Sequence, residues 1–197
     1  MLHRLVFACA LVSLAGAEFS VRCRWLDHKF KQFSDTSLDL LEKMVNNATN
    51  STEGDATEDI EVDFPHHLYR QASKESAENQ VAFTVQVLKE VSALFEEENS
   101  FSSSWQQITV EKFLGVVNRQ ADELHSCVSE SLVHKKNRKL RIYFKRLLDH
   151  ILKKQGYSAE AWETIREETK AHLLRAQRAA FPFNLLQMNK CVWVLCV

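Results

Sequence analysis

The sequence predicts an all-α fold, a bundle of five amphipathic helices in one domain. Three observations predict it. Only 4 Gly and 2 Pro occur in 197 residues, which leaves little punctuation for hairpins or sandwiches. Hydrophobic residues make up 45% of the chain, enough for a single core at this length. Five stretches repeat apolar residues three and four apart, the period of a helix with one buried face. Formal net charge is -1, so no overall field argues for a nucleic acid or an acidic substrate.

The N-terminus sets the expected compartment. His3 and Arg4 precede an apolar run, Leu5–Leu14, and then Ala15-Gly16-Ala17. Basic start, short apolar core and small-x-small site form a signal peptide over residues 1–17. The run is too short to cross a bilayer, so no membrane insertion is expected. A mature chain from Glu18 loses Cys9 and keeps Cys23, Cys127, Cys191 and Cys196. Secretion favours disulfides, and four cysteines allow three pairings.

The first helix is predicted over residues 23–45. Leu26, Phe30, Phe33, Ser37, Leu41 and Met44 form its stripe, with Lys29, Lys31, Asp35, Asp39 and Lys43 off it. Residues 46–63 are a polar, acidic loop without apolar period. It carries two sequons, at Asn47 and Asn50, both candidate glycosylation sites. Pro65 restarts order, and a second helix is expected from about Lys74 to Glu97 on the stripe Val81, Val85, Leu88, Val91 or Ser92, and Phe95. Ser104, with Gln107 as a capping-box partner, is expected to start a third. Its stripe is Ile108, Phe113 or Leu114, Val117, Ala121, Leu124 and Val128.

His134 to Lys139 is a basic run. It has no interleaved aromatics, so it is expected to be a solvated turn rather than a heparan sulfate or nucleic-acid site. A fourth helix then turns Leu140, Phe144, Leu147 and Ile151 inward. Gly156 suits a left-handed stop and Ser158 an N-cap for the fifth helix, Tyr157–Ala176. Glu160 and Glu163 sit near the positive end of its dipole. Trp162, Ile165, Thr169, Leu173 and Ala176 form its buried face, opposite Arg166, Glu167, Lys170 and Arg175. Residues 181–197 form an apolar tail that contains Cys191 and Cys196. A long first connection followed by mostly short ones is the pattern of up-up-down-down cytokine bundles, with residues 18–180 as the helical domain.

Enzyme chemistry finds little support. Asp122 and His125 share a helix face, but a di-iron bundle needs matched Glu-x-x-His motifs on facing helices. His66-His67 lacks a spaced cluster of further ligands, and no hydrolase, zinc-protease or phosphate-loop motif occurs. No cofactor and no metal are expected.

The segments CRWLDHKFKQFSDTSLDLLEKM (Cys23–Met44), LYRQASKESAENQVAFTVQVLKEVSALFEE (Leu68–Glu97) and FKRLLDHILKKQGYSAEAWETIREE (Phe144–Glu168) carry a family resemblance over roughly residues 23–180. The chain resembles the type I interferons of fish, in the cyprinid-like, two-cysteine group. Ala161-Trp162-Glu163 looks like the family's CAWE signature, with Glu160 where many members have a cysteine. The resemblance implies a five-helix cytokine, antiviral and acting through two class II cytokine receptor chains, Janus kinases and STATs. It implies one disulfide, Cys23–Cys127, and excludes the second, mammalian-type bridge. It also implies one receptor contact through the first helix, the following loop and the last helix, and another through a face built from the second, third and fourth helices. The contact candidates carried over are Arg166, Glu167 and Lys170, with Lys29, Lys31 and Asp35 as weaker ones. A monomer is expected. The tail departs from the family. Alternatives are another class II cytokine of the interleukin-10 or lambda-interferon kind, and a secreted lipid-binding amphipathic-helix protein.

Overall fold

In a computed structural model the described residues are Cys23, 29–44, 62–97, 105–133 and 136–180. The signal-peptide segment, the sequons at Asn47 and Asn50, and the tail from residue 181 lie outside them. The helices are α1 (Phe30–Lys43), α2 (His66–Ala72), α3 (Ala77–Phe95), α4 (Gln107–His125), α5 (Glu130–Val133), α6 (Arg138–Arg146) and α7 (Ala159–Ala180). α6 runs on as a π-helical segment, Leu147–Lys153, whose wide turn places both Ile151 and Leu152 in the core.

Several boundaries differ from expectation, each for a local reason. Cys23 lies in a turn, ahead of the helix that was expected to include it. The short helix α2 carries no readable period because seven residues hold only Leu68 and Tyr69 as buried apolar positions. α3 starts at Ala77, later than Lys74, because the Ser76 hydroxyl accepts from the Asn79 N–H at 3.4 Å. α4 is preceded by Gln106, without a side-chain cap, and Gln107 donates to Glu111; Ser104, the expected cap, lies outside the described residues. Ile108 is 61% exposed, against its place on the expected stripe. The buried line is Val110, Phe113, Val117, Ala121 and Leu124, and Ile108 stands about 200° around the helix from Val110. Arg138 and Lys139 are helical, not in a turn. Asn137 caps that helix, its Oδ1 accepting from the Leu140 N–H at 3.1 Å.

The last junction follows the expected chemistry. Gly156 adopts φ 60°, and Tyr157 shares the left-handed region at φ 57°. The Gly156 N–H reaches the Lys153 carbonyl at 3.1 Å and the Tyr157 N–H reaches the Leu152 carbonyl at 2.8 Å, the two bonds of a Schellman stop. Ser158 then caps α7 through the Ala161 N–H at 3.1 Å.

Residue pairings give the helix directions. The Gln106 N–H meets the Met44 carbonyl, while Cys23 pairs with Cys127, so the end of α1 meets the start of α4 and the two run antiparallel. Glu78 accepts from the Ser129 N–H and Phe95 packs on Phe113, so α3 is also antiparallel to α4. α1 and α3 therefore point the same way, which requires the long crossover between them. Asp35 meets Gln177 and Glu42 meets Lys170, so α7 is antiparallel to α1. α1, α3, α4 and α7 form an up-up-down-down bundle in which α4 and α7 each touch both α1 and α3. α6 lies beside α3 and parallel to it, since Gln86 meets Asn137 and Glu97 meets Lys153.

The core is aromatic at one end. Trp162 is fully buried, with its ring centroid 5.7 Å from Phe95 and 5.4 Å from Trp105, and Phe95 lies 5.1 Å from Phe113. Burying such rings contributes several kcal/mol each. Between α1 and α4 the contact is instead small and polar. Ser34 and Ser37 are buried, and the Gln120 amide donates to the Ser34 hydroxyl at 2.8 Å.

Cys127→Ser should lower the melting temperature by roughly 10 °C. A bridge closing about a hundred residues contributes on the order of 4–5 kcal/mol in the chain-entropy model, and each kcal/mol moves Tm by about 2–4 °C in a chain of this size. Trp162→Ala should cost about 3–5 kcal/mol in urea unfolding. A loss below about 1 kcal/mol would show that the cluster does not carry the core.

Candidate functional site

The seam of α1 and α7 gathers most of the charged residues singled out by sequence. Lys31, Asp35 and Glu42 follow one another at helical spacing on one flank of α1. Asp35 accepts from the Gln177 amide at 3.0 Å, and Glu42 pairs with Lys170 at 3.0 Å. Lys29 is two residues from Lys31 and so falls on the other flank of α1. The charged strip therefore extends along the groove between the two helices, and Lys29 stands apart from it.

Arg166 differs from the outward-pointing residue expected. Its side chain is only 12% exposed. The guanidinium donates to both Glu163 oxygens, at 2.9 Å from Nε and 2.5 Å from Nη2, and also to Glu167. These hydrogen bonds to Glu163 raise its pKa further above the usual arginine value, so it stays charged. Glu163 and Glu167 remain about half exposed, at 47% and 56%. Arg166 thus acts as a fork that holds two exposed carboxylates in place, and Glu167 and Lys170 offer charge beside it. Exposed pairs of this kind add less than about 1 kcal/mol to stability, so the strip is not needed for the fold.

Farther along α7, about 15 Å from Trp162, lies a second aromatic cluster with a histidine at its centre. His172 is fully buried between Phe64, Tyr69, Tyr143 and Phe144, whose ring centroids lie 4.6–5.8 Å from its own. The Tyr69 hydroxyl meets His172 Nδ1 at 2.5 Å. With Tyr69 donating, the ring proton sits on Nε2, which is buried without a hydrogen-bond partner among the described residues. Burial holds the imidazole pKa down to about 3, and nearby Arg175 lowers it too. Burial likewise pushes the Tyr69 and Tyr143 phenols up, and Tyr143 also donates to Glu168 at 2.6 Å. Arg175 lies over the Phe64 ring at 4.7 Å and meets His66 Nδ1 at 2.9 Å.

This cluster docks the end of the long crossover, Phe64–Tyr69, onto α7. His66 is thus tied to Arg175, which covers an aromatic ring and does not stand on an open solvent face, and His172 and Trp105 are core residues outside the expected stripes. His172 falls at a helical spacing from Thr169 and Ala176, so the stripe contains the signal, but an imidazole is readily ionised and is core only where the fold desolvates it. The described residues contain no helix long and apolar enough to cross a membrane.

An up-up-down-down bundle with a long first crossover, a docked loop and a charged α1–α7 groove defines a helical cytokine. Residues 26–180 match the family described as "Interferon alpha/beta domain". The chain is 35% identical over 153 residues to Interferon a3 of Oncorhynchus mykiss, covering 78% of this chain and 82% of that one. It is also similar to the solved structure of zebrafish interferon 1, with TM-score 0.63 and 33% identity, over 80% of this chain and 97% of that one. The chain belongs to the interferon alpha/beta family, as a type I interferon of the fish kind.

His172 should make stability pH-dependent. Its folded pKa of about 3 lies below the ordinary 6.5, so the unfolded chain binds more protons between those values. Stability is full above about pH 6.5 and falls as pH drops toward 3, by up to ~1.4 kcal/mol per unit. The difference in Tm between the native chain and His172→Phe, followed across this range, should shift in favour of the variant as pH falls. A constant difference would show that His172 titrates normally.

Proposed function

We propose that this chain is a secreted interferon cytokine that engages two class II cytokine receptor chains at once. Bringing their associated Janus kinases together then activates STATs and antiviral genes. The observation that carries the reading is the α1–α7 groove, where Glu163, Glu167 and Lys170 stand as preoriented, partly exposed charges with Arg166 beneath them. Charges held in place at a protein surface steer encounter and pair with complementary residues at low ordering cost. Asp35 and Lys31 extend this face, and Lys29 contributes only at its margin. The docked Phe64–Tyr69 segment borders the same helix and supplies the loop part of the contact.

The second receptor chain takes a face built from α3, α4 and α6. A rigid bundle then holds both partners at a fixed angle, and binding one raises the effective concentration of the other. Secretion follows from residues 1–17 acting as a signal peptide, with glycans at Asn47 and Asn50 and Cys23–Cys127 as the stabilising bridge. No enzyme activity is part of this reading, and the active unit is a monomer.

A reporter for antiviral gene induction in fish cells tests it. The response should vanish in cells lacking either receptor chain; a full response with one chain missing refutes the two-receptor mechanism. Reversing the charges together, Glu167→Lys with Lys170→Glu, should weaken binding of one receptor chain by about tenfold, with circular dichroism unchanged. Unaltered affinity would remove this groove from the interface.

A further inference from the structure

The basic run expected to be a solvated turn is instead the start of a helix whose outer face is almost wholly cationic. α6 reads RKLRIYFKR and contains no acid. Leu140, Tyr143 and Phe144 turn inward, while Arg138, Lys139, Arg141, Lys145 and Arg146 are exposed, with Lys136 just ahead of them. The other long helices mix acids among their cations: Lys43 pairs with Asp39, Arg166 with Glu163 and Lys170 with Glu42. On α6 only Lys145 has a carboxylate partner among the described residues, Asp149 at 2.6 Å. Lys153 also reaches that same carboxylate, at 3.5 Å, so its charge is already offset.

This arrangement weakens the helix that carries it. Arg138 and Lys139 sit at the positive end of the helix dipole, where acids are favoured. Arg138 with Arg141, and Arg141 with Lys145, are like charges at contacting spacings. The fold nonetheless holds the first turn firmly. Gln86 of α3 accepts from the Asn137 N–H at 2.7 Å and donates to the Asn137 carbonyl at 3.1 Å, and Asn137 then caps the helix. A strip of cations about 12 Å long, all but Lys145 without a carboxylate partner among the described residues, is thus preoriented on a rigid element.

We propose that the outer face of α6 binds a linear sulfated polysaccharide, through Arg138, Lys139, Arg141 and Arg146. A regular polyanion matches a one-sided row of cations, and its affinity comes from releasing condensed counterions. A nucleic acid fits less well. The aromatic residues of α6, Tyr143 and Phe144, are buried, so no ring is offered for base stacking. The choice of polysaccharide over nucleic acid also rests on the secreted reading above, whereas the binding assay needs neither receptor nor secretion.

The full chain is tested on immobilised heparin over a salt series, with unsulfated hyaluronan and duplex DNA as comparison probes. Arg138→Gln, Lys139→Gln, Arg141→Gln and Arg146→Gln together should weaken heparin binding by roughly tenfold or more and flatten its salt dependence. The control quadruple, Arg70→Gln, Lys74→Gln, Lys112→Gln and Arg178→Gln, carries the same charge change and should stay within about twofold. Equal losses in both would reduce the effect to net charge and overturn the site. Hyaluronan binding as tight as heparin would overturn the sulfate requirement, and duplex DNA binding as tight would make this a nucleic-acid surface. Should the α6 variant fail to fold, hydrogen exchange on the unaltered chain decides. Heparin should protect residues 138–146, and unchanged exchange there would overturn the proposal. Secretion is judged separately, by N-terminal sequencing of the protein from culture medium, so that failure of one reading does not hide failure of the other.

Discussion

The edge-on and tilted packing of Trp162 against Trp105 and Phe95 holds this molecule together at the point where chain direction is decided. Trp162 opens α7, Phe95 closes α3, and Trp105 leads into α4. The α3–α4 junction and the start of α7, distant in sequence, thus bury large rings together at one end of the bundle. Once the end of α3 meets the starts of α4 and α7, those helices must run antiparallel to it. The Cys23–Cys127 bridge imposes the same sense on α1 and α4 from the opposite end. With both α1 and α3 antiparallel to α4, the connection between them must travel the length of the bundle.

That long return has a second consequence. The last residues of that connection, just ahead of α2, need a docking place. They find it on α7, where Phe64 and Tyr69 close over His172 and Arg175 covers the aromatic rings. A buried neutral histidine whose Nε2 has no partner among the described residues is a weak point in such a site, because burial disfavours the charged ring and Arg175 opposes it too. The loop end and the last helix are therefore coupled through one imidazole.

The surface is divided by charge in a way that the net value of -1 conceals. Along α1 and α7, acids and bases alternate and pair, which leaves a patterned groove suited to a protein partner. Along α6 the bases cluster with no acid in the helix, and among the described residues only Lys145 has a carboxylate partner. The two surfaces lie on different helices and ask for different chemistry: complementary side chains in one case and a repeating anion in the other. Neither adds appreciably to stability, since exposed ion pairs contribute little and unpaired like charges detract. The core and the surface can accordingly vary independently.

The amino-acid sequence alone determined the helix class, the order of the principal helices and most of the buried face of α7. Each of these depends on spacing between neighbours: Trp162 through Ala176 repeat with the helical period, and Gly156 and Ser158 punctuate a single junction. Likeness to known relatives, carried by whole segments such as Cys23–Met44, added the family and the pairing of Cys23 with Cys127. Only the tertiary structure decided the rest, because it depends on residues that meet across the fold. Ile108 looked like core until the packing of α4 set which side of its first turn faces in. Arg166 looked free until two neighbouring carboxylates enclosed it. His172 looked polar until four rings from three other segments surrounded it. Arg138 and Lys139 looked like a turn until Asn137, held by Gln86 of another helix, began α6 beneath them.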